Sequence, residues 1–215
     1  DVVLGAAADD LYAMKNFRLA KETGRKLINN YPDSEKSLRR SAWIVVAHSS
    51  FELTEYEDAE NDYLNVLRLT DPNHKSRAGF IDNLAASIYK QGERANTEEK
   101  YREAVKHFLR IADVAPTSKI RPTAEYDAVA ALIQLKDWEK AAQVLGAFRK
   151  TYPGHELQPE VTKKMAFVYK QAGKLALAAR EFERIERESD DPAVRRDALL
   201  TAAELYEEAK KTDRA

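Results

Sequence analysis

The chain has no cysteine, which removes disulfides, thiolate metal sites and cysteine nucleophiles from consideration. Glycine and proline number 7 each among 215 residues, too few for long loops or a disordered, low-complexity chain. No continuous apolar stretch approaches the roughly 18 residues that mark a membrane-spanning helix. Charge of one sign is lacking as well. Lys and Arg total 35 against 36 Asp and Glu, for a formal net charge of −1, without the basic footprint of a nucleic-acid binder. Strand signals are weak: Val and Ile fall at helical spacing, and no run alternates with period two. What is present is 44% hydrophobic and 33% charged residues, enough for a core under a heavily solvated surface. The length fits one or two ordinary domains. The chain starts at Asp1 without Met and reads as a piece of a longer protein from which any targeting segment has been removed.

Against this background one pattern repeats. Ala20, Ala59, Ala104, Ala141 and Ala178 each follow an aromatic residue or leucine by three positions: Phe17, Tyr56, Tyr101, Trp138 and Leu175. Each precedes a proline by 12 to 14 residues: Pro32, Pro72, Pro116, Pro153 and Pro192. The alanine spacings are 39, 45, 37 and 37. Such a recurrence means one supersecondary unit copied along the chain. In the second unit Ala42, Trp43, Val46, Ala47 and Ser50 fall three or four apart, making one helical stripe. Tyr56, Ala59, Tyr63 and Val66 make a second, stopped at Asp71-Pro72 because proline cannot continue a helix. The small alanine lets two antiparallel helices approach where they cross.

The units expected are 1–32, 33–73, 74–117, 118–154 and 155–191, with a terminal helix over 192–211, all in one repeat domain covering 1–215. In the third unit Gly92 marks the expected turn, with helices over His74–Arg94 and Glu98–Val114. The polar stretch Glu93–Lys100 then lengthens the hairpin tip. In the terminal helix Ala198, Leu199, Ala202, Ala203 and Tyr206 share the packing face, leaving Leu200 or Leu205 outward. The run Arg180–Glu188 mixes signs at i,i+3 and i,i+4 spacing and reads as a solvated face.

This layout resembles the tetratricopeptide repeat (TPR) family. The fifth unit carries the likeness best, in Ala166, Tyr169, Gly173, Ala178, Phe182 and Ile185. The second supplies Trp43, Ala47, Tyr56, Ala59, Tyr63 and Pro72. The resemblance implies an all-α fold, a right-handed superhelix (α-solenoid) of five helical hairpins plus a terminal helix. The Tyr-Pro steps in Asn29–Glu35 and Arg149–Val161 are similar to the bacterial cell-envelope branch, which includes outer-membrane assembly lipoproteins and the periplasmic coordinator of the Tol–Pal system. That similarity implies a periplasmic or cell-envelope location and a scaffold role; a cytoplasmic location is the alternative.

No catalytic constellation is legible. His48, His74, His107 and His155 are not three or four residues apart, and HExxH, GxSxG, P-loop and GxGxxG motifs are absent. No catalytic residue, metal or cofactor is expected, and no enzyme activity. The expected function is a protein-interaction scaffold holding a peptide or partner helix in a concave groove lined by the first helix of each unit. The alternatives are a peptide-responsive regulatory or sensor module, and a recognition domain of a larger multidomain protein. The candidate groove residues are Ile44, His48, Phe51, Asp82, Tyr89, Tyr126, Ile133, Lys163, Phe167 and Lys170. Exposed aromatics on such a surface fit peptide recognition. The carboxylate clamp of chaperone-binding relatives does not carry over: Lys163 is followed one turn later by Phe167, not Asn. The expected partner is protein or peptide, with no nucleic acid and no membrane insertion of this segment; oligomeric state is left open.

Overall fold

The computed structural model describes residues 1–212, with side chains to residue 210. Every regular element among these is helical, and no strand is found. The helices are α1 Val2–Ala13, α2 Phe17–Asn30, α3 Lys36–Glu52, α4 Tyr56–Arg68, α5 Arg77–Thr97, α6 Tyr101–Val114, α7 Arg121–Gln134, α8 Trp138–Thr151, α9 Gln158–Gln171, α10 Leu175–Glu188 and α11 Pro192–Thr212. They form two compact units, the first covering residues 1–124 and the second starting at residue 125.

Each hairpin turn is built the same way. Lys15, Thr54, Glu99, Lys136 and Gly173 all have positive φ, between 56° and 69°. In every case the amide of this left-handed residue donates to the carbonyl three residues back, and the next amide donates to the carbonyl five residues back. For the first turn these are Lys15 N to Tyr12 O (2.8 Å) and Asn16 N to Leu11 O (2.9 Å); for the last, Gly173 N to Lys170 O (3.1 Å) and Lys174 N to Tyr169 O (2.9 Å). This is the Schellman arrangement, which satisfies the orphan carbonyls at a helix C-terminus and reverses the chain. The second helix then opens two residues later, on Phe17, Tyr56, Tyr101, Trp138 or Leu175. One turn in, the repeated alanine meets the first helix: Ala20, Ala59, Ala104, Ala141 and Ala178 are all 0% exposed. Seven residues before each left-handed residue stands its counterpart on the first helix: Ala8, Ala47, Gly92, Val129 or Ala166. All five are buried. Four of the five are Ala or Gly, which lets the two helices approach closely, and the fourth hairpin accommodates Val129.

The third hairpin corrects the sequence reading. Gly92 is not in a turn. It lies inside α5 at the small-residue position, and a Cβ there would fall 2.6 Å from Phe108 of α6. The turn comes seven residues later, at Glu99. The added length therefore sits at the start of α5 and in the loop before it, and the tip matches those of the other hairpins. Sequence reasoning took glycine as punctuation where its role is close approach.

Within each unit, successive second helices are joined by ion pairs. In the first unit Lys21 on α2 reaches Glu55 (2.5 Å) and Asp58 (2.7 Å), while Arg25 reaches Asp62 on α4 (2.5 Å). Asp62 also accepts from Ser50 at 2.9 Å. Arg110 on α6 then grips Glu60 of α4 through both terminal nitrogens, at 2.5 and 2.7 Å. In the second unit Arg149 on α8 makes the same forked contact with Glu181 on α10, at 3.0 and 2.6 Å. Paired donors matched to a carboxylate hold both distance and rotation. Glu181 is only 9% exposed, so the run Arg180–Glu188 is not a wholly solvated face. Three residues after Ala178, Glu181 falls on the same buried stripe.

The terminal helix α11 packs through Ala198, Ala202 and Leu205, with Ala202 and Leu205 joining Ala178 and Ala179 in one apolar cluster. Leu199 and Leu200 are 49% and 59% exposed, whereas Leu205 is 3% exposed. The expected packing face holds at Ala198, Ala202 and Tyr206, the last packed against this cluster; Leu199 and Ala203 instead face outward and Leu205 turns inward, because the buried stripe runs 198, 202, 205.

Candidate functional site

The ten candidate residues lie on first helices of hairpins, and they differ in what their side chains already do. On α3, Ile44, His48 and Phe51 form one stripe, all half-buried. Phe51 meets Tyr56 edge-on at 5.4 Å across the turn. His48 sits between two tyrosines, 5.7 Å from Tyr12 of α1 and 5.7 Å from Tyr63 of α4. Burial lowers its pKa, against the field of Glu52, which raises it. On α5, Asp82 Oδ1 accepts from the Ser118 hydroxyl (2.8 Å) and the Lys119 amide (2.9 Å), fixing the loop that precedes α7. Tyr89 packs on Phe108 at 5.3 Å.

In the second unit Tyr126 and Ile133 on α7 are half-buried, and the Lys164 ammonium lies 4.7 Å from the centre of the Tyr126 ring. On α9 the situation is different. Lys163, Phe167 and Lys170 are all exposed, and their spacing of four and three places them on one helical face. Phe167 is 44% exposed and rests edge-on against Trp138 at 6.1 Å. Lys163 is bonded only to its helix neighbour Glu160, at 2.8 Å. The structure thus gathers one exposed aromatic between two lysines, and leaves the other aromatic candidates partly engaged in packing.

One group was missed. Tyr12 stands three residues before the first left-handed turn residue, the place held by Phe51, Ile133 and Lys170 in their own hairpins. That register identifies it as their equivalent. Tyr12 contacts Phe17 at 5.4 Å, and together with Ala13, Lys15 and Glu52 they line an open recess of about 500 Å³. Burial raises the Tyr12 pKa, and Glu52 raises it further.

Among the described residues no group of three or more His, Asp or Glu side chains is placed to hold a metal ion. No described helix is long and apolar enough to cross a membrane.

Hairpins repeated in this register, with a buried alanine at each crossing, define a tetratricopeptide-repeat protein, and residues 7–34 match the family model described as tetratricopeptide repeat. Residues 81–209, more than half of the chain, match the model described as outer membrane lipoprotein, YfiO. The chain belongs to that family. No curated protein matches it. Among solved structures it is similar to the MamA protein, at 13% identity over 86% of this chain and 90% of that one, with a TM-score of 0.47. It is also similar to BtubC (BKLC) from P. vanneervenii, at 14% identity over 91% and 82% of the two chains, TM-score 0.49. A third similar structure is YrrB, described as a TPR protein with an unusual peptide-binding site, at 13% identity over 89% and 87%, TM-score 0.43.

Proposed function

We propose that the chain is a non-enzymatic scaffold of a bacterial cell-envelope assembly, which holds a peptide or a partner helix against the first-helix faces of its hairpins. The family supports the envelope setting, since its model is that of an outer membrane lipoprotein. The observation that carries the binding reading is Phe167. A phenylalanine 44% exposed on a regular helix, with a lysine one turn to either side, is an anchor without an intramolecular lid. A few such anchors supply most of the energy of a protein interface, and flanking charges speed and orient the encounter. In the second unit the proposed face also takes in Tyr126 and Ile133; in the first unit Ile44, His48, Phe51, Asp82 and Tyr89 are proposed as a separate first-helix surface.

The test is affinity capture from bacterial envelope extract, with the chain and its triple variant Lys163→Glu, Phe167→Ser, Lys170→Glu as baits. The three side chains are solvent-facing, so the variant retains wild-type helicity, and circular dichroism checks this. A partner held by the wild type and lost by the variant supports the reading. Equal capture by both moves binding off the α9 face, and no specific capture by either refutes the scaffold role of this segment.

A further inference from the structure

The recess beside the first hairpin turn joins an aromatic pair that recurs at the second turn, as Phe51 and Tyr56, to an acidic rim that the folding of the unit does not require. Its walls are aromatic: the Phe17 and Tyr12 rings stand 5.4 Å apart at 54°, a corner rather than a closed stack, so each still offers ring surface. Behind Tyr12 the row continues into the interior through His48 and Tyr63, at 41° and 57°. This backing fixes the Tyr12 ring in place. The rim carries the Glu52 carboxylate, one turn after His48 on α3. Glu52 makes no ion pair or side-chain hydrogen bond among the described residues, although its charge reaches Tyr12, His48 and Tyr63. The chain's own cation at this place, Lys15, lines the same recess yet does not pair with Glu52. Its backbone is held at φ 59° by the turn.

Ring faces are electron-rich and attract cations within about 6 Å of their centres. A carboxylate attracts them too. An apolar ligand would leave Glu52 unmatched, and an anion would be repelled by both wall and rim. A planar cation satisfies the two at once, lying against the rings while its edge donates to the carboxylate; among side chains, arginine does this and lysine does it less well.

We propose that the recess formed by Tyr12, Phe17 and Glu52 is a receptor for an arginine side chain presented by the protein partner of the scaffold. The assignment rests on the scaffold reading and names the chemistry of one contact within it. The guanidinium lies against the outer ring surface of Tyr12 and Phe17, Glu52 accepts from its edge, and Lys15 at the rim opposes it by like charge.

The experiment is a titration of the isotope-labelled chain, followed by NMR, with N-acetyl-arginine amide. N-acetyl-citrulline amide, which has nearly the same shape without the charge, is the control. A single side chain of this size binds at best on the order of millimolar. The expected result is saturable shifts of the Tyr12 and Phe17 ring signals with the arginine compound, and binding about tenfold weaker or absent with citrulline. Glu52→Gln, a change at an exposed position, abolishes the discrimination, and Lys15→Ala strengthens arginine binding. Equal binding of arginine and citrulline, discrimination that survives Glu52→Gln, or no shift at either ring would overturn the proposal. The wider reading is separable. If the Glu52→Gln variant captures the envelope partner at the wild-type level and arginine gives no shift, the recess falls and the scaffold stands. If no partner is captured by the wild type, the scaffold reading falls whatever the titration shows.

Discussion

The hairpin turns allow one conformational contribution to be isolated. Gly173 has φ 69°, and a Cβ built there meets nothing within 4 Å. Gly173→Ala therefore adds no clash and removes no contact; it only places an L side chain in the left-handed region. That conformation costs roughly 1–2 kcal/mol. Against it, alanine restricts the unfolded chain and returns about 0.4–1 kcal/mol. The net expectation is a loss of about 0.5–1 kcal/mol, a fall in Tm of about 2 °C for a chain of this size. Thr54 is the mirror case, a β-branched residue at φ 62°, where such a conformation is least tolerated. Thr54→Gly should gain a similar amount. The assay is urea denaturation followed by tryptophan fluorescence. The only two tryptophans fall one in each unit. A Trp43→Phe background reports the unit containing Gly173, and a Trp138→Phe background the unit containing Thr54. A neutral or stabilising Gly173→Ala, or a destabilising Thr54→Gly, would refute the argument that these turns are strained alike.

Other outcomes follow from single contacts. Gly92→Ala should cost about 1–3 kcal/mol, because its Cβ is driven into Phe108 and a packed core resists added volume; thermal unfolding measures it. Glu181→Ala should cost about 2–3 kcal/mol by leaving the Arg149 guanidinium without its partner, and replacing both by Leu and Met should recover most of the loss. The His48 pKa is lowered by burial, so the unfolded chain takes up the proton first as pH falls. The first unit should lose stability below about pH 6.5, and His48→Phe should flatten that slope in a series of melts. Leu205→Ala should destabilise α11 by about 2–3 kcal/mol, while Leu200→Ala should stay within about 0.5 kcal/mol.

The repeated unit was legible because its signal is periodic. The five alanines, their aromatic partners and the prolines fall in phase, and the bounds expected for α2, Phe17–Asn30, are those observed. Local meaning was harder to read where one residue type serves two purposes. Gly92 looked like a turn because glycine is the commonest residue at a helix end, yet four of the five turns use Lys, Thr or Glu, so the true punctuation was invisible by composition. Glu181 looked solvated because its neighbours are charged, and its partner lies 32 residues away on another helix. The face of α11 was drawn too broad on one side: Leu199 and Ala203 each lie one residue, about 100°, beyond a packed alanine, and fall outside the buried stripe that Leu205 continues. The candidate site was legible as a set of positions, but whether a side chain is exposed depends on neighbours brought in by the fold. Phe167 and Phe51 have equivalent credentials in sequence, and only one of them is left exposed.

The ion pairs between successive second helices have a bearing on how such a chain can change over time. Their polarity alternates. From α2 to α4 the base comes first, Arg25 before Asp62; from α4 to α6 the acid comes first, Glu60 before Arg110. Removing the second hairpin by recombination would, in the register of the repeat, set Lys21 of α2 where Glu60 of α4 meets Arg110 of α6, two cations where each had a carboxylate. The hairpins share one backbone plan and yet cannot be deleted or exchanged as equals. Each carries a charge complementary to one particular neighbour, so the order of the repeats, and with it the order in which surface features such as the Tyr12 recess are presented, is protected against shuffling.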